Sequence, residues 1–162
     1  MIAFALSAVL AVACTSAVPA MPAKAADHPE ARVFDPTPSL IAQEAVDETL
    51  ADAALAGKHA IIVMGADWCH DSRALAGWFQ TPRFETLLQE NFVVRYIDVG
   101  QKDRNIDVAQ RFGLDGIVGT PTIIVTDTLG VVLNLDTAPT WRNAASRSED
   151  SIFEYFTALA PE

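Results

Sequence analysis

Residues 60–72 of this chain read Ala60-Ile61-Ile62-Val63-Met64-Gly65-Ala66-Asp67-Trp68-Cys69-His70-Asp71-Ser72. The apolar part, residues 60–66, is short and rich in β-branched side chains, which favours a buried strand over a helix. A helical pattern begins at Arg73, so Cys69 is predicted to lie where a strand passes into a helix. A lone thiol at such a junction is a candidate nucleophile.

The sequence holds one other cysteine, Cys14, in an N-terminal segment that we expect the mature protein to lose. Cys69 then has no partner thiol in its own chain and is predicted to act as a monothiol. An intermolecular disulfide through Cys69, which would make a homodimer, is a separate alternative.

The N-terminus has the character of an export signal. Residues 1–23 carry no charged side chain, and Ala23-Lys24-Ala25 has the small-x-small form that signal peptidase accepts. We therefore predict a signal peptide over residues 1–25, cleaved after Ala25 or Ala26, and a periplasmic or extracellular protein. The usual basic residue at the start is missing, so three alternatives stay open: a retained N-terminal anchor, a lipoprotein modified at Cys14, and a cytoplasmic protein that starts at Met21.

The composition suits one domain, because 51% apolar residues in a chain of 162 supply a core that can hold one active site. The net charge is −10, and it becomes −11 when the one cation of the signal, Lys24, is removed. The scattered acidic residues indicate ordinary solubility and disfavour binding to nucleic acid or to an anionic membrane. We expect no membrane contact beyond the N-terminal anchor alternative.

Periodicity divides the chain into an extended linker over residues 26–39, with a short edge strand at residues 32–34 as the alternative, and a folded domain over residues 40–162. Four strands are predicted, at residues 60–66, 92–99, 122–125 and 131–133, and a tight turn at 127–130 joins the last two. The first helix begins at Leu40 and is stopped by Gly57, and a second, at 73–80, is separated by Pro82 from a further helical segment. A short helix at 106–112 and a last helix capped by Ser148 complete the set. This order predicts an α/β fold, an α/β/α sandwich with a mixed central sheet in which the first two strands are parallel neighbours.

The strand, the Trp68-Cys69-x-x-Ser72 turn and Gly119-Thr120-Pro121-Thr122, about fifty residues later, together resemble the thioredoxin superfamily. The resemblance implies a thioredoxin fold over roughly residues 40–159. It also implies a cis peptide bond before Pro121, in a loop that lies against the cysteine turn and forms the groove where substrate sulfur and main chain bind. On this resemblance the catalytic residues are Cys69, Ser72, Thr120 and Pro121, and the substrate groove is bordered by Trp68, His70, Asp71 and Gly119.

The chemistry of the turn can also be argued from its residues. A cysteine at a helix N-terminus lies near unpaired N–H groups and the positive end of the helix dipole, which stabilise a thiolate. Ser72, three residues on, faces the same side and can donate a hydrogen bond to the sulfur. A protonated His70 or Arg73 adds to this effect and Asp71 opposes it, so the net contribution of the turn's charges stays open, as does the alternative that His70 is a solvated loop residue.

Two departures from the family pattern restrict the reaction. Ser72 stands where thioredoxins carry their second cysteine, and a hydroxyl cannot resolve a mixed disulfide. Val63 stands where thioredoxin carries a buried acid that serves that second cysteine. Thr120 resembles the threonine that periplasmic disulfide isomerases carry before the proline, and its hydroxyl is a candidate to approach and tune the Cys69 sulfur.

The remaining candidates are weaker. Asp67, Trp141 and Arg142 are candidates for the groove rim, whereas Trp78 and Phe79 are expected in the core. We predict no metal site, because Cys69, His70 and Asp71 are consecutive, and His28 and His59 have no ligand-like spacing.

Two functions are compatible with these observations. In the first, the Cys69 thiolate exchanges with disulfides of client proteins or small thiols, as an isomerase or in deglutathionylation, and needs no cofactor beyond an external thiol such as glutathione or a partner reductase. In the second, the protein is a non-catalytic module that holds a client or subunit in the groove by Pro121.

Overall fold

The computed structural model describes residues 28–36 and 39–162, without the side chains of residues 39 and 40. The predicted signal peptide, Cys14 and the cleavage site lie outside these residues. The helices are α1 (Ser39–Ala56), α2 (His70–Phe79), α3 (Pro82–Asn91), α4 (Ile106–Arg111) and α5 (Glu149–Ala158), and the strands are β1 (His59–Gly65), β2 (Phe92–Asp98) and β3 (Thr122–Thr126). Two 3-10 turns, Ala138–Trp141 and Ala144–Ser146, precede α5.

The sheet has the strand order β2-β1-β3, with β1 parallel to β2 and antiparallel to β3. The predicted parallel pairing of the first two strands is confirmed. β1 is therefore the central strand, and six of its seven residues are buried. This explains its continuous apolar sequence, since a central strand covered on both faces has no exposed side to keep polar.

Alternate residues of β1 pack into two separate hydrophobic cores, one on each face of the sheet. Ile61 and Val63 pack with aromatic residues of α2, α3 and α5, while Ile62 and Met64 pack with residues of α1 and α4. The helices thus cover both faces of a mixed sheet, and the predicted α/β/α sandwich is confirmed. Trp78 and Phe79 belong to the first core, as expected.

Several predicted helix boundaries are confirmed. Gly57 ends α1 with a φ of +66°, a left-handed conformation that glycine adopts readily. Pro82 occupies the first turn of α3 and separates it from α2. Ser148 caps α5 by accepting a hydrogen bond from Ser151 N at 3.2 Å.

The predicted hairpin after β3 is only half formed. The Asp127–Gly130 turn is present, but the expected strand at residues 131–133 is reduced to a single bridge between Thr126 and Val132. The cause is Asn134, whose side chain accepts from Val125 N at 2.9 Å and donates to Ile123 O at 2.8 Å. This side chain takes the ladder positions that a fourth strand would occupy.

The described N-terminal segment, residues 28–36, forms no strand, so the alternative of an edge strand at residues 32–34 is wrong. Asp67 Oδ1 instead accepts hydrogen bonds from Val33 N at 3.1 Å and Phe34 N at 3.4 Å. Phe34 is 3% exposed and belongs to the core beside β1. The segment thus packs on the domain directly next to the end of β1 and the start of α2.

No helix among residues 28–36 and 39–162 combines the length and apolar character that a membrane crossing requires.

Candidate active site

Cys69 is the N-cap residue of α2, four residues after the end of β1. The predicted junction of strand, turn and helix is therefore present. The residue is 8% exposed, and in the part of the chain that the structure describes it is the single free cysteine. Its main chain is fixed on both sides, since Cys69 N donates to Ala66 O at 3.0 Å and Cys69 O accepts from Arg73 N at 3.1 Å.

The sulfur of Cys69 faces the loop before β3. The Thr120–Pro121 peptide bond is cis, and Cys69 Sγ donates to the main-chain carbonyl of Thr120 at 3.3 Å. The group of Thr120 that contacts the sulfur is therefore its main-chain carbonyl, whereas the sequence suggested its hydroxyl. The Thr120 carbonyl is an acceptor, so this contact uses the hydrogen of the thiol.

Ser72 does not make the hydrogen bond that its spacing predicts. It is fully buried, and its hydroxyl has no hydrogen-bond partner. A Cβ on Gly65 would lie 2.6 Å from Ser72 Oγ and 2.7 Å from Phe34 Cζ, so the hydroxyl packs against the end of β1. A separation of three residues puts Ser72 on the same helical face as Cys69, but its rotamer directs the hydroxyl to the strand.

The side chains of the turn face the N-terminal segment and a 3-10 turn. His70 Nε2 lies 3.0 Å from Glu30 Oε1, and Arg73 Nε donates to Glu30 Oε2 at 2.8 Å. The hydrogen bond from Arg73 is the main cause that lowers the pKa of Glu30 below its ordinary value of 4.5, and the charges of Arg73, His70 and His28 add to it. Asp71 Oδ1 accepts from Ala145 N at 2.8 Å and so holds the second 3-10 turn.

Arg73 also donates to the carbonyl oxygen of Asp67 at 2.7 Å. Arg73 is therefore engaged with Glu30 and Asp67, and no hydrogen bond joins it to the sulfur of Cys69. This role of Arg73 could not be predicted, because nothing in the composition of the linker marks Glu30 as a partner. The one available signal was Val33-Phe34, an apolar pair in an otherwise polar segment.

Trp68 lies beside the thiol and is 50% exposed. Its Nε1 donates to Gly100 O at 2.7 Å, which fixes one edge of the indole. A large exposed aromatic next to a reactive group offers contact area to a bound peptide.

The structure also has a cavity of about 380 Å³. Its lining residues are Val118, Pro139, Thr140, Arg142 and Asn143. A Cβ on Gly119 would lie 3.1 Å from Arg142 Cβ, so this glycine allows Arg142 to approach the loop of Pro121. Arg142 is thus placed near the predicted groove, whereas Trp141, the other rim candidate, is fully buried and packs on Tyr155 and Phe156.

A family model described as Thioredoxin-like matches residues 41–128 of the chain. Among solved structures, a disulphide isomerase from Xylella fastidiosa Temecula1 is 30% identical with a TM-score of 0.69, and the match covers 80% of this chain and 97% of that one. A poplar thioredoxin h is 18% identical with a TM-score of 0.51, over 72% of this chain and 89% of that one. The C-terminal domain of DsbD from Neisseria meningitidis, in its oxidised form, is 18% identical with a TM-score of 0.50, over 80% and 99%. No match was found among curated proteins.

Proposed function

Because this chain belongs to the thioredoxin-like family, we propose that it is a thiol–disulfide oxidoreductase that works through one thiol, Cys69. The observation that carries the proposal is the contact of 3.3 Å between Cys69 Sγ and Thr120 O, directly beside a cis proline. A thiol in this place lies at a helix N-terminus and next to a loop whose main chain can align a substrate. The 30% identical structure described as a disulphide isomerase supports the same class of reaction.

The proposed cycle begins when the Cys69 thiolate attacks one sulfur of a disulfide. A new S–S bond forms between Cys69 and that sulfur, the old S–S bond breaks, and the second sulfur leaves as a thiolate that takes up a proton. Ser72 cannot carry out the next step, since it has no thiol. A thiol of the client itself, or an external one such as glutathione, must then attack the mixed disulfide and release Cys69.

This cycle suits two reactions. When a thiol of the client resolves the mixed disulfide, the client's disulfides are rearranged without net electron transfer. When the substrate is a glutathionylated protein, Cys69 takes the glutathionyl group and the client leaves as a thiol. A glutathione thiolate then attacks the glutathionyl sulfur, so that glutathione disulfide leaves and Cys69 is free again as a thiolate. A partner reductase could replace glutathione in the last step.

Two features supply a surface for a client. Trp68, which precedes Cys69, is 50% exposed, and the cavity is lined by Val118, three residues before Pro121, and by Arg142. Val118 is 67% exposed, which leaves its apolar side chain accessible to a client. Arg142 adds a positive charge that favours an acidic group on the client.

Export of the protein is part of the proposal. It rests on the uncharged residues 1–23 and on Ala23-Lys24-Ala25, and an oxidising compartment would supply disulfides as substrates. N-terminal sequencing of the protein secreted by its host tests it: a start at Ala26 or Asp27 supports export, and a start at Met1 or Met21 contradicts cleavage.

The second candidate function is a non-catalytic binding module. One observation favours it. Cys69 is 8% exposed and donates its hydrogen to Thr120 O, so the thiol is sheltered from an incoming disulfide. In this case Trp68 and the cavity would hold a client with no exchange of disulfides.

An isomerisation assay distinguishes the two candidate functions. It measures how fast a small protein with scrambled disulfides regains its native form in the presence of glutathione. We expect the wild-type protein to accelerate recovery of the native client and Cys69→Ser to reduce it to the rate of glutathione alone. Ser146→Ala, which changes an exposed hydroxyl, is the matched control and should act as the wild type. Equal rates for wild type and Cys69→Ser, with client binding retained by both, would establish the binding module instead.

A further inference from the structure

Two imidazoles and a carboxylate meet beside the first turn of α2. His28 and Glu30 come from the N-terminal segment and His70 is the residue after Cys69. One ligand atom from each lies within 4.8 Å of those of the other two. This juxtaposition depends on the packing of residues 28–36 against the domain, and forty-two positions separate the two histidines in the sequence.

The three side chains of this cluster already lie close together, and one of them is held in place by a further hydrogen bond. His70 Nε2 and Glu30 Oε1 are 3.0 Å apart, and the rings of His28 and His70 meet edge to face with centroids 4.7 Å apart. Arg73 Nε holds the other carboxylate oxygen, Glu30 Oε2, at 2.8 Å. A second hydrogen-bonded group that fixes the orientation of a ligand is the usual companion of a metal-binding side chain.

We propose that His28, Glu30 and His70 bind a divalent transition-metal ion, Zn²⁺ in the first place. Two imidazole nitrogens and one carboxylate oxygen are the ligand types that zinc takes, and three protein ligands leave its fourth position for water or an incoming group. The ion would lie between His70 Nε2 and Glu30 Oε1 and replace the direct contact between them.

The ligand atoms can reach the required distances by side-chain rotation. Zinc bonds of about 2.0–2.2 Å in a tetrahedron put ligand atoms about 3.4 Å apart. The ligand atoms of the cluster now lie within 4.8 Å of one another, so the largest of these distances must shorten by at most about 1.4 Å. Because His70 Nε2 and Glu30 Oε1 are already 3.0 Å apart, the separation that must close is the one to His28. The side chains of His70 and Glu30 are 58% and 37% exposed, which leaves them room to move towards it. The charge of Arg73 opposes the cation, while the net charge of −10 on the chain attracts it.

Occupation of the site would join the N-terminal segment to the helix that begins at the thiol. His70 follows Cys69 directly in the sequence, and the sulfur of Cys69 is not one of the three ligands. The site goes beyond the proposed thiol exchange, because its three ligands take no part in the proposed steps at Cys69.

Metal binding is tested on the chelator-treated protein, without a histidine tag, by calorimetric titration with Zn²⁺ and by the visible absorbance of Co²⁺. Cu²⁺ is avoided as a probe, because a chain cut after Ala25 would begin Ala26-Asp27-His28 and could bind copper in a planar site through its amino terminus and main-chain nitrogens. We expect one ion per chain, and an affinity at least about tenfold lower in each of His28→Ala, Glu30→Gln and His70→Ala.

The control is His59→Ala, which removes a histidine bonded to Leu159 O, away from the cluster. It should bind one ion as the wild type does. No binding at metal concentrations of tens of micromolar, or equal affinities in the wild type and the three ligand variants, would overturn the proposal. Both readouts are independent of thiol exchange, so the failure of either proposal leaves the other standing.

Discussion

The thiol of Cys69 donates its hydrogen to the main-chain carbonyl of Thr120 across 3.3 Å. This bond exists only while the sulfur is protonated. When Cys69 ionises, the thiolate must find donors instead of an acceptor, and the first turn of α2 offers its unpaired N–H groups. Formation of the nucleophile therefore involves an exchange of partners around the sulfur.

Ser72 is the side chain best placed for that exchange. Its hydroxyl is buried without a partner, which costs about 1–3 kcal/mol relative to a bonded one. We expect the hydroxyl to turn from the end of β1 towards the sulfur when the thiolate forms. In Ser72→Ala we expect the free energy of unfolding in urea to stay equal or rise by about 1 kcal/mol, because an unsatisfied group is removed.

The same substitution should slow alkylation of Cys69 by iodoacetamide near neutral pH, since the thiolate loses a donor. Ser146→Ala, on the surface, should change neither the stability nor the alkylation rate. A clear loss of stability in Ser72→Ala would mean that the hydroxyl is already hydrogen-bonded at rest.

Replacement of Ser72 by cysteine should restore a two-thiol reaction. In Ser72→Cys we expect a disulfide between positions 69 and 72 under mild oxidation, and mixed disulfides at Cys69 that resolve without added thiol. Mass spectrometry after alkylation of free thiols measures both. The double variant Cys69→Ser, Ser72→Cys should form no internal disulfide, and accumulation of a stable mixed disulfide in the single variant would show that position 72 cannot reach the sulfur.

Gly77 allows the N-terminal segment to lie on α2. A Cβ there would be 2.4 Å from the main-chain carbon and oxygen of Pro29, a clash that no side-chain movement relieves. Gly77→Ala is therefore expected to cost about 1–3 kcal/mol of stability and to expose residues 28–36 to proteolysis. Gly116→Ala is the control, because a Cβ there finds its nearest atom at 3.9 Å; similar losses in both variants would contradict this role of Gly77.

Asn134 is expected to hold the edge of β3. Asn134→Ala leaves the buried Val125 N and Ile123 O without their side-chain partners, so the free energy of unfolding should fall by about 1–3 kcal/mol. Urea unfolding measures this loss. Asn143→Ala removes an exposed amide bonded to Arg147 and should change stability little, and an equally small effect in Asn134→Ala would show that these bonds are dispensable.

The fold could be predicted because each element carries a local signal. β1 has a continuous apolar sequence, Pro82 and Gly57 mark helix ends, and Ser148 provides a cap. The failed strand at residues 131–133 has the composition of a strand, but the side chain of Asn134 competes for the main-chain groups of β3. Competition of this kind depends on three-dimensional position and leaves no periodic signal.

The proximity of Cys69 to the loop of Pro121 could be predicted for the same reason. The spacing of Cys69 and Pro121 belongs to a recognisable pair of motifs, and the structure brings the two together. The hydrogen-bond partners of individual side chains could not be predicted, because the sequence does not determine the rotamers of Ser72 and Asp71. The meeting of His28, Glu30 and His70 depends on how an extended segment packs, which the composition of that segment does not reveal.

Cys69 is expected to form a mixed disulfide that the protein cannot resolve alone. The most direct measurement is incubation of the native protein with glutathione disulfide, followed by intact-mass and peptide mass spectrometry. We predict one glutathionyl group on Cys69 that persists after removal of the reagent and is lost on addition of reduced glutathione, and none in Cys69→Ser. A native protein that gains no adduct, while the unfolded protein does, would contradict the account and show that Cys69 is a buried, inert thiol.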